Sequence, residues 1–516
     1  MNQRQLINAA VLATAAVLGG CMSATSPATG RSFYSPVSES QEAQIGAEEH
    51  PKILQEFGGE YREIPSLNAY VNRVGQAVAQ NAERKDVKYT FTLLNTDDIN
   101  AFALPGGYVY ITRGLIGLAN NEAEVAGVLG HEIGHVNARH TAERMGAQQK
   151  AEVLGAIGVL LGSVLGGDTG GQLAAGAANE LGSDYLGTFS QQQEFEADSL
   201  GVRYLARTSY DPQAMATFLN SLNNETNLEA KLSGGKANPN ALDQMKMSHP
   251  RTPERVQRAI AEANVPVANP VTNRDALLNA IDGIMFGTDP KEGVIKGRQF
   301  IHPGLRFAFA APKGFKLKNT PSQVLGKGDN AYMIFDLPDR MPTGSMADYV
   351  AGQWEKGAKV QNLQTFEANG LEAATGLVQG SLNNQRVVAR LVAIRYDASH
   401  VYRFTYVAPP ELFDAKDDAF IASAQTFRKT TAAEVSGYKP MRLRVVTVEA
   451  GDTVESLAER MAMTEGKLDW FRVLNSLKPG QQLQAGQRVK IVTGGTGGLA
   501  QAPLPDAAGL VTTAAR

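Results

Sequence analysis

From Glu39 to about Ala263, apolar positions recur mostly every three or four residues, the period of helices that bury one face. Two stretches inside this region break the period. "KYTFTLLN" and "AFALPGGYVYIT" are rich in Tyr, Phe, Val and Thr and predict strands, with Pro105-Gly106-Gly107 as a turn between the halves of the second. After a Pro- and Asn-containing stretch at Val267–Asn273, "LRFAFAAPKGF", "AYMIFDL", "RVVARLVAIRY" and "HVYRFTYVAP" predict further strands. In the last, Tyr402, Phe404 and Tyr406 alternate with Arg403 and Thr405, as a half-buried strand requires. Helical patterns at Met346–Trp354 and Glu411–Ala424 flank them, which predicts an α+β domain. A third unit runs from Arg444 to Val492, and a Gly/Ala/Pro-rich tail follows.

The N-terminus has a different pattern. A single arginine precedes an apolar run from Leu6 to Leu18, too short and too rich in small residues for a membrane span, so it reads as an export signal. The run ends in Leu18-Gly19-Gly20-Cys21, which resembles the lipobox of bacterial lipoproteins. That resemblance implies a mature chain acylated at Cys21, and Met22 after it favours the outer membrane, facing the periplasm. Residues Ser23–Val37, rich in Ser, Thr, Pro and Gly, read as a tether.

At 516 residues the chain is long enough for about three domains. Its 49 basic and 52 acidic residues leave no bulk charge to attract nucleic acid, which is not expected as a partner. Cys21 is the only cysteine, which rules out internal disulfides.

The candidate chemistry sits in "LGHEIGHVNARH", Leu129–His140. Asn121 with Glu124 three residues later marks a helix start, and on that helix His131 and His135 project about 40° apart on one face. Two imidazoles at that spacing can bind one zinc, with Glu132 beside them to act on water. Val125, Val128, Leu129, Ile133 and Val136 predict that the helix is buried, where unpaired imidazoles would be costly without an ion. On a continuous helix His140 lies about 180° from His131, so it is not expected to be a ligand. Catalytic zinc takes a third protein ligand. "SQQQEFEADSLGVRYLAR" offers Glu194, with Asp198 four residues on to orient a zinc-bound imidazole, whereas Glu196 lies well off that face.

"HEIGH" followed by "EFEAD", with "NAFALPGGYVYITRGLI" upstream and "SHPRTPERV" downstream, resembles the gluzincin metallopeptidases of the HtpX and CAAX prenyl protease type, the forty-eighth metallopeptidase family. One departure is Gln191, where many relatives carry arginine. The resemblance implies a zincin-like domain holding one zinc per chain on His131, His135 and Glu194, with Glu132 as general base. It also implies that His249 and Arg255 approach the active site. The histidine then either helps stabilise the oxyanion or occupies the open zinc position and holds the enzyme off. Asn100-Ala101 opens an edge-strand candidate that in relatives pairs with an extended peptide. "VLGAIGVLLGSVLGG", Val153–Gly167, reads as a helical hairpin covering the site or resting on lipid.

Near the C-terminus, "VVTVEAGDTVESLAERM" and "DWFRVLNSLKPGQQLQAGQRVKIV" resemble a LysM module, a β-α-α-β fold that binds N-acetylglucosamine-containing glycans. This implies peptidoglycan as a partner, contacted through Gly451, Asp452, Thr453 and the loop after Asn475.

The expected fold class is therefore an α+β multidomain chain: a mainly helical zincin-like domain with a small sheet, an α+β middle domain and a βααβ module. The expected boundaries are a signal peptide at 1–20, a tether at 21–38, a metallopeptidase domain at 39–265, a linker at 266–298, an α+β domain at 299–430 with a faint PsbP/Mog1-like look, LysM at 443–493 and a disordered tail at 494–516. The expected function is that of a lipid-anchored periplasmic zinc endopeptidase that degrades misfolded or misassembled envelope proteins. The competing reading is an envelope assembly chaperone or adaptor with a largely silent metal site.

Overall fold

The computed structural model describes residues 23–149, 189–232, 249, 253–320, 322–338, 340–354, 358–382, 385–463 and 465–495. The expected signal peptide, Cys21, the Val153–Gly167 segment and almost all of the C-terminal tail lie outside these residues. The chain forms two units: the residues up to Ile284 together with Leu443–Val492, and Met285–Arg442 with the residues from Thr493. Among the described residues no helix is long and apolar enough to cross a membrane.

The first unit begins with a short antiparallel hairpin, β1 (Ser23–Thr25) and β2 (Ser32–Tyr34), where a tether was expected. Local composition suggested a solvated linker, but Arg31 ties the hairpin to the helical body through Glu143 and Glu196. Helix α1 (Glu39–Glu56) starts at Ser38 with a reciprocal capping box to Gln41, and α2 (Pro65–Ala79) starts with proline in its first turn. A three-stranded sheet follows in the order β3 (Thr90–Leu94), β5 (Tyr108–Thr112), β4 (Ala101–Leu104). β3 and β5 are parallel, and β4 pairs antiparallel with β5 through Pro105-Gly106-Gly107, whose glycines take φ of +83° and +94°. This leaves β4 at the sheet edge.

Helices α3 (Arg113–Leu118), α4 (Glu122–Ala138), α5 (Gln191–Arg207), α6 (Gln213–Leu232), α7 (Pro253–Glu262) and α8 (Arg274–Ile281) complete the body. Every residue of α4 is buried, as its apolar pattern predicted. Val74 and Val78 of α2, Leu200 and Leu205 of α5 and Met215 of α6 share that core. Each fully buried aliphatic side chain contributes about 1.5–3 kcal/mol, which fixes α4 in place before any polar contact is counted. Part of the expected linker is also structured, because Leu277, Leu278 and Ile281 of α8 are buried.

The C-terminal segment has the expected order of strand Met441–Thr447, helices Val454–Glu459 and Lys467–Leu474, and strand Arg488–Gly494, with the two strands side by side. It packs within the first unit. Ser476 hydrogen-bonds Asn120 and Ser221, Arg488 binds Asp275 and Asn279, and Lys490 donates to three carbonyls at the end of α3.

The second unit contains the four predicted strands, as Phe307–Ala310, Ala331–Asp336, Gln385–Arg395 and Val401–Ala408, together with others that the sequence pattern did not mark. Its larger sheet is antiparallel, in the order Lys316–Asn319, Val324–Gly328, Ala331–Asp336, Val401–Ala408, Gln385–Arg395, Leu371–Leu382, Gln361–Ala368. A four-stranded sheet contains Phe307–Ala310, and helix Pro410–Gln425 joins the two. Ser423 Oγ donates to Ala310 O at 2.7 Å and lies 2.9 Å from Tyr406 Oη, over a core that includes Phe309, Phe335, Phe404 and Phe420.

Candidate metal centre

The site is built on α4 and α5. Asn121 caps α4 by accepting from Glu124 N at 2.9 Å, while Glu124 reaches one residue further back than a capping box and accepts from Asn120 N at 2.7 Å. Ser190 caps α5 with Gln193 in a reciprocal box. The two helices approach closely because glycines line the contact. A Cβ on Gly134 would lie 3.2 Å from Ala197 O, and one on Gly201 would lie 3.1 Å from His131 N. That approach sets Glu194, fully buried in the first turns of α5, against the two histidines of α4.

His131 Nε2 and His135 Nε2 lie 3.0 Å apart. Glu194 Oε1 is 3.4 Å from His135 Nε2, and Oε2 is 3.7 Å from His131 Nε2. His249 joins them, with Nδ1 3.2 Å from His131 Nε2 and 2.9 Å from Glu194 Oε1. All four residues are buried and offer donor atoms within 4.8 Å of one another. Four ligands about 2.0–2.1 Å from one tetrahedral ion would be about 3.3 Å apart, so the observed spacings suit a single zinc. Neutral imidazole nitrogens this close cannot all point lone pairs inward without a cation or proton between them.

The surroundings hold His135 and Glu194 in ligating forms. Burial pushes His135 well below the ordinary imidazole range and keeps the ring neutral. Burial also acts upward on Glu194, but the charges of His249 and Arg255 outweigh it and hold the carboxylate well below its usual range. Burial drives Glu132 the other way, above the carboxylate range, against the pull of His249 and His131. Two carboxylates in one site are thus separated, one kept as an anion and one primed to hold a proton. For His249, burial favours the neutral ring, yet Glu194 and Glu132 outweigh it and raise its affinity for a proton.

Asp198 stands where the four-residue spacing placed it, with Oδ1 2.9 Å from His131 Nδ1, though the pair is poorly aligned for a full hydrogen bond. Arg255, carried by α7, grips Asp198 with Nε and Nη2, both at 2.8 Å, and reaches Glu194 Oε2 with Nη1 at 2.7 Å. Burial alone would raise Asp198, but this guanidinium outweighs it and keeps the carboxylate charged. Gln191, the departure from the family pattern, donates to Glu254 at 2.8 Å at the surface.

Asn100 and Ala101 are buried at the start of β4, and further along that strand Ala103 and Leu104 line a small cavity with His135 and Val136. His140 does not lie on the far side of the helix, where a continuous α4 would carry it. Helix α4 stops at Ala138, Arg139 takes φ of +61°, and the His140 ring turns back onto His135, Nδ1 to Nδ1 at 2.9 Å. Glu196, expected off the active face, lies beside His140.

The expected glycan residues divide. Gly451, Asp452 and Thr453 form a surface turn in which Asp452 accepts from Glu449 N and Thr453 caps the next helix. Asn475 is buried. Its amide nitrogen donates to Phe471 O and Lys490 O, and its oxygen accepts from Lys490 N, so it has no free group for a glycan. Packing of Ser476 against Asn120 and Ser221 encloses the start of the following loop as well.

A buried His-Glu-x-x-His helix facing a glutamate from a neighbouring helix is the arrangement of a metallopeptidase. Residues 65–263 match the model of peptidase family M48. The chain is 30% identical over 367 residues to the beta-barrel assembly-enhancing protease of Yersinia pestis, covering 68% of this chain and 71% of that protein. It is 36% identical over 203 residues to the protein of the same name from Escherichia coli K12, covering 38% and 41%. To metalloprotease LoiP of the same bacterium it is 28% identical over 266 residues, covering 50% and 95%. The chain belongs to peptidase family M48 and is a metalloendopeptidase.

Proposed function

We propose that the chain is a zinc endopeptidase of the bacterial envelope, lipid-anchored at Cys21 on the periplasmic face of the outer membrane. The observation that carries this reading is the spacing of His131, His135 and Glu194 around one tetrahedral position, with Glu132 next in sequence to the first ligand. Bound zinc would polarise the scissile carbonyl and lower the pKa of water. Glu132 accepts the proton of the attacking water and passes it to the leaving amine, a task suited to a carboxylate whose proton affinity burial has raised. Asp198, held by Arg255, orients His131.

β4 lies at the sheet edge, and main-chain pairing there suits an extended peptide of any sequence. That recognition selects unfolded segments. Together with relatives named for assembly of β-barrels, it supports misfolded or misassembled envelope proteins as substrates. His249 fills the fourth corner of the donor set and keeps the resting site closed. The C-terminal module contacts peptidoglycan through its Gly451–Thr453 turn.

Casein cleavage by the chain from Ser23 onward should stop with a chelator and with Glu132→Gln. Undiminished cleavage by Glu132→Gln would remove the assigned base. Retention on purified sacculi, compared with a Gly451→Trp variant, tests the glycan contact, and equal retention would refute it.

A further inference from the structure

The zinc reading uses one nitrogen of each imidazole, and the other nitrogen must then carry the ring's proton. For His131 that nitrogen faces Asp198, backed by Arg255. For His135 it faces His140, whose ring is fully buried. Nothing in the family resemblance assigned this residue a role.

The tautomers follow from the geometry. His135 turns Nε2 to the donor cluster, 3.0 Å from His131 Nε2, so its N–H sits on Nδ1. That N–H points at His140 Nδ1 at 2.9 Å, which must accept, so His140 carries its own proton on Nε2. His140 Nε2 faces Glu196 Oε2 at 3.5 Å, and Glu196 Oε2 lies 3.4 Å from Arg31 Nη2. The same Arg31 nitrogen donates to Glu143 Oε2 at 2.7 Å, and Gln193 of α5 donates to that oxygen at 2.9 Å. Phe189 stacks on His135 with ring centres 4.0 Å apart and limits rotation of the ring.

We infer that His140 is the positioning residue of the metal ligand His135, with Glu196 and Arg31 behind it. Both ligands of α4 are then braced alike, each arm ending on an arginine: His131–Asp198–Arg255 and His135–His140–Glu196–Arg31. The second arm ends on the hairpin of β1 and β2, so the segment directly after Cys21 forms part of the support of the site. The left-handed Arg139 makes this possible, because a continuing helix would carry His140 to the far side. Its own anchors are Glu42, at 2.9 Å, and Val37 O, at 3.0 Å.

The inference rests on the zinc reading, and one titration separates the two. Zinc affinity is measured at fixed pH by competition with a chromogenic chelator, in the chain from Ser23 onward and in its variants. His140→Leu should weaken binding about 10–100-fold, the range for lost partners of metal-bound histidines. His140→Asn, whose side-chain oxygen stands where Nδ1 stood, should recover most of that loss. Arg31→Met should weaken binding by a few-fold. Cobalt substituted for zinc should show an altered visible spectrum in His140→Leu and a nearly native one in His140→Asn. If His140→Leu does not fold, His140→Gln replaces it: weaker binding than in His140→Asn supports the inference, and equal binding overturns it. Equal zinc affinity in wild type, His140→Leu and His140→Asn would overturn the positioning role and leave the zinc reading standing. Failure of the wild-type chain to bind zinc would overturn both.

Discussion

Lys490 lies at the centre of the contact between the C-terminal module and the catalytic body. Its side chain is fully buried, and Nζ donates to Gly117 O at 3.0 Å, Leu118 O at 3.0 Å and Ala119 O at 2.7 Å. These carbonyls end α3, where the helix has no donors of its own left to offer. An ammonium has three N–H groups, so the match is complete. Burial pushes Lys490 down to about 7, with the charge of Glu124 acting to hold it up. Lys490→Met keeps the apolar stem but leaves three buried carbonyls without a donor. Each buried carbonyl left without a partner costs about 1–3 kcal/mol, so losing the three donors should cost about 3–5 kcal/mol even after the relief of not burying the amine. Urea unfolding at pH 7 measures it, with Trp470 of the module and Trp354 of the second unit as separate reporters. The Trp470 transition should move to lower urea and the Trp354 transition should not. A drop below about 1 kcal/mol, or an equal shift at both reporters, would refute the reasoning.

Three further outcomes follow from the geometry. His302 is held down to about 4 by burial, and Leu305 N–H donates to its Nδ1 at 3.1 Å. An unfolded histidine titrates near 6.5, so the unfolded state binds the proton first, and stability present above pH 6.5 is lost as pH falls towards 4. For a half-buried ring the loss should be about 1–2 kcal/mol after solvent screening, read from the Trp354 transition, and His302→Asn should remove it. Gly46→Ala should destabilise the first unit by about 2–3 kcal/mol in the same urea assay, because its Cβ would collide with Pro105 O and meet the Tyr108 ring at 2.8 Å. His249→Ala should raise casein cleavage several-fold by opening the fourth corner, and an unchanged or lower rate would remove the closing role.

The helix of His131, Glu132 and His135 was legible because its period, cap and apolar residues agree. Glu194 with Asp198 was legible by the same four-residue spacing, and four strands of the second unit, among them Val401–Ala408, by their apolar and alternating residues. His140 and Glu196 were not. The reading of His140 assumed a continuing helix, and a left-handed arginine that ends one has no local signature when the contacts that hold it, Glu42 and Val37, are about a hundred residues away. Glu196 does lie off the face of Glu194 and Asp198, and there it meets the turned-back His140. Arg31 was hidden for a similar reason, since the composition of Ser23–Val37 describes a linker and only distant carboxylates make it a hairpin. Asn475 fits a glycan-binding pattern locally, yet it is taken up by Lys490 and Phe471 once the module closes on itself. For His140, Glu196 and Arg31 a contact distant in sequence decided the outcome, and no local window contains it.

The most direct test of the metal centre is the zinc content per chain of protein purified from zinc-supplemented cells and dialysed against buffer, measured by elemental analysis. Wild type and Glu132→Gln should each retain one zinc, because Glu132 acts on water and is not a ligand. His135→Ala and Glu194→Ala should retain almost none, while unfolding cooperatively like the wild type without metal. Full retention of zinc by Glu194→Ala, or its loss in Glu132→Gln, would contradict the ligand set on which the account stands.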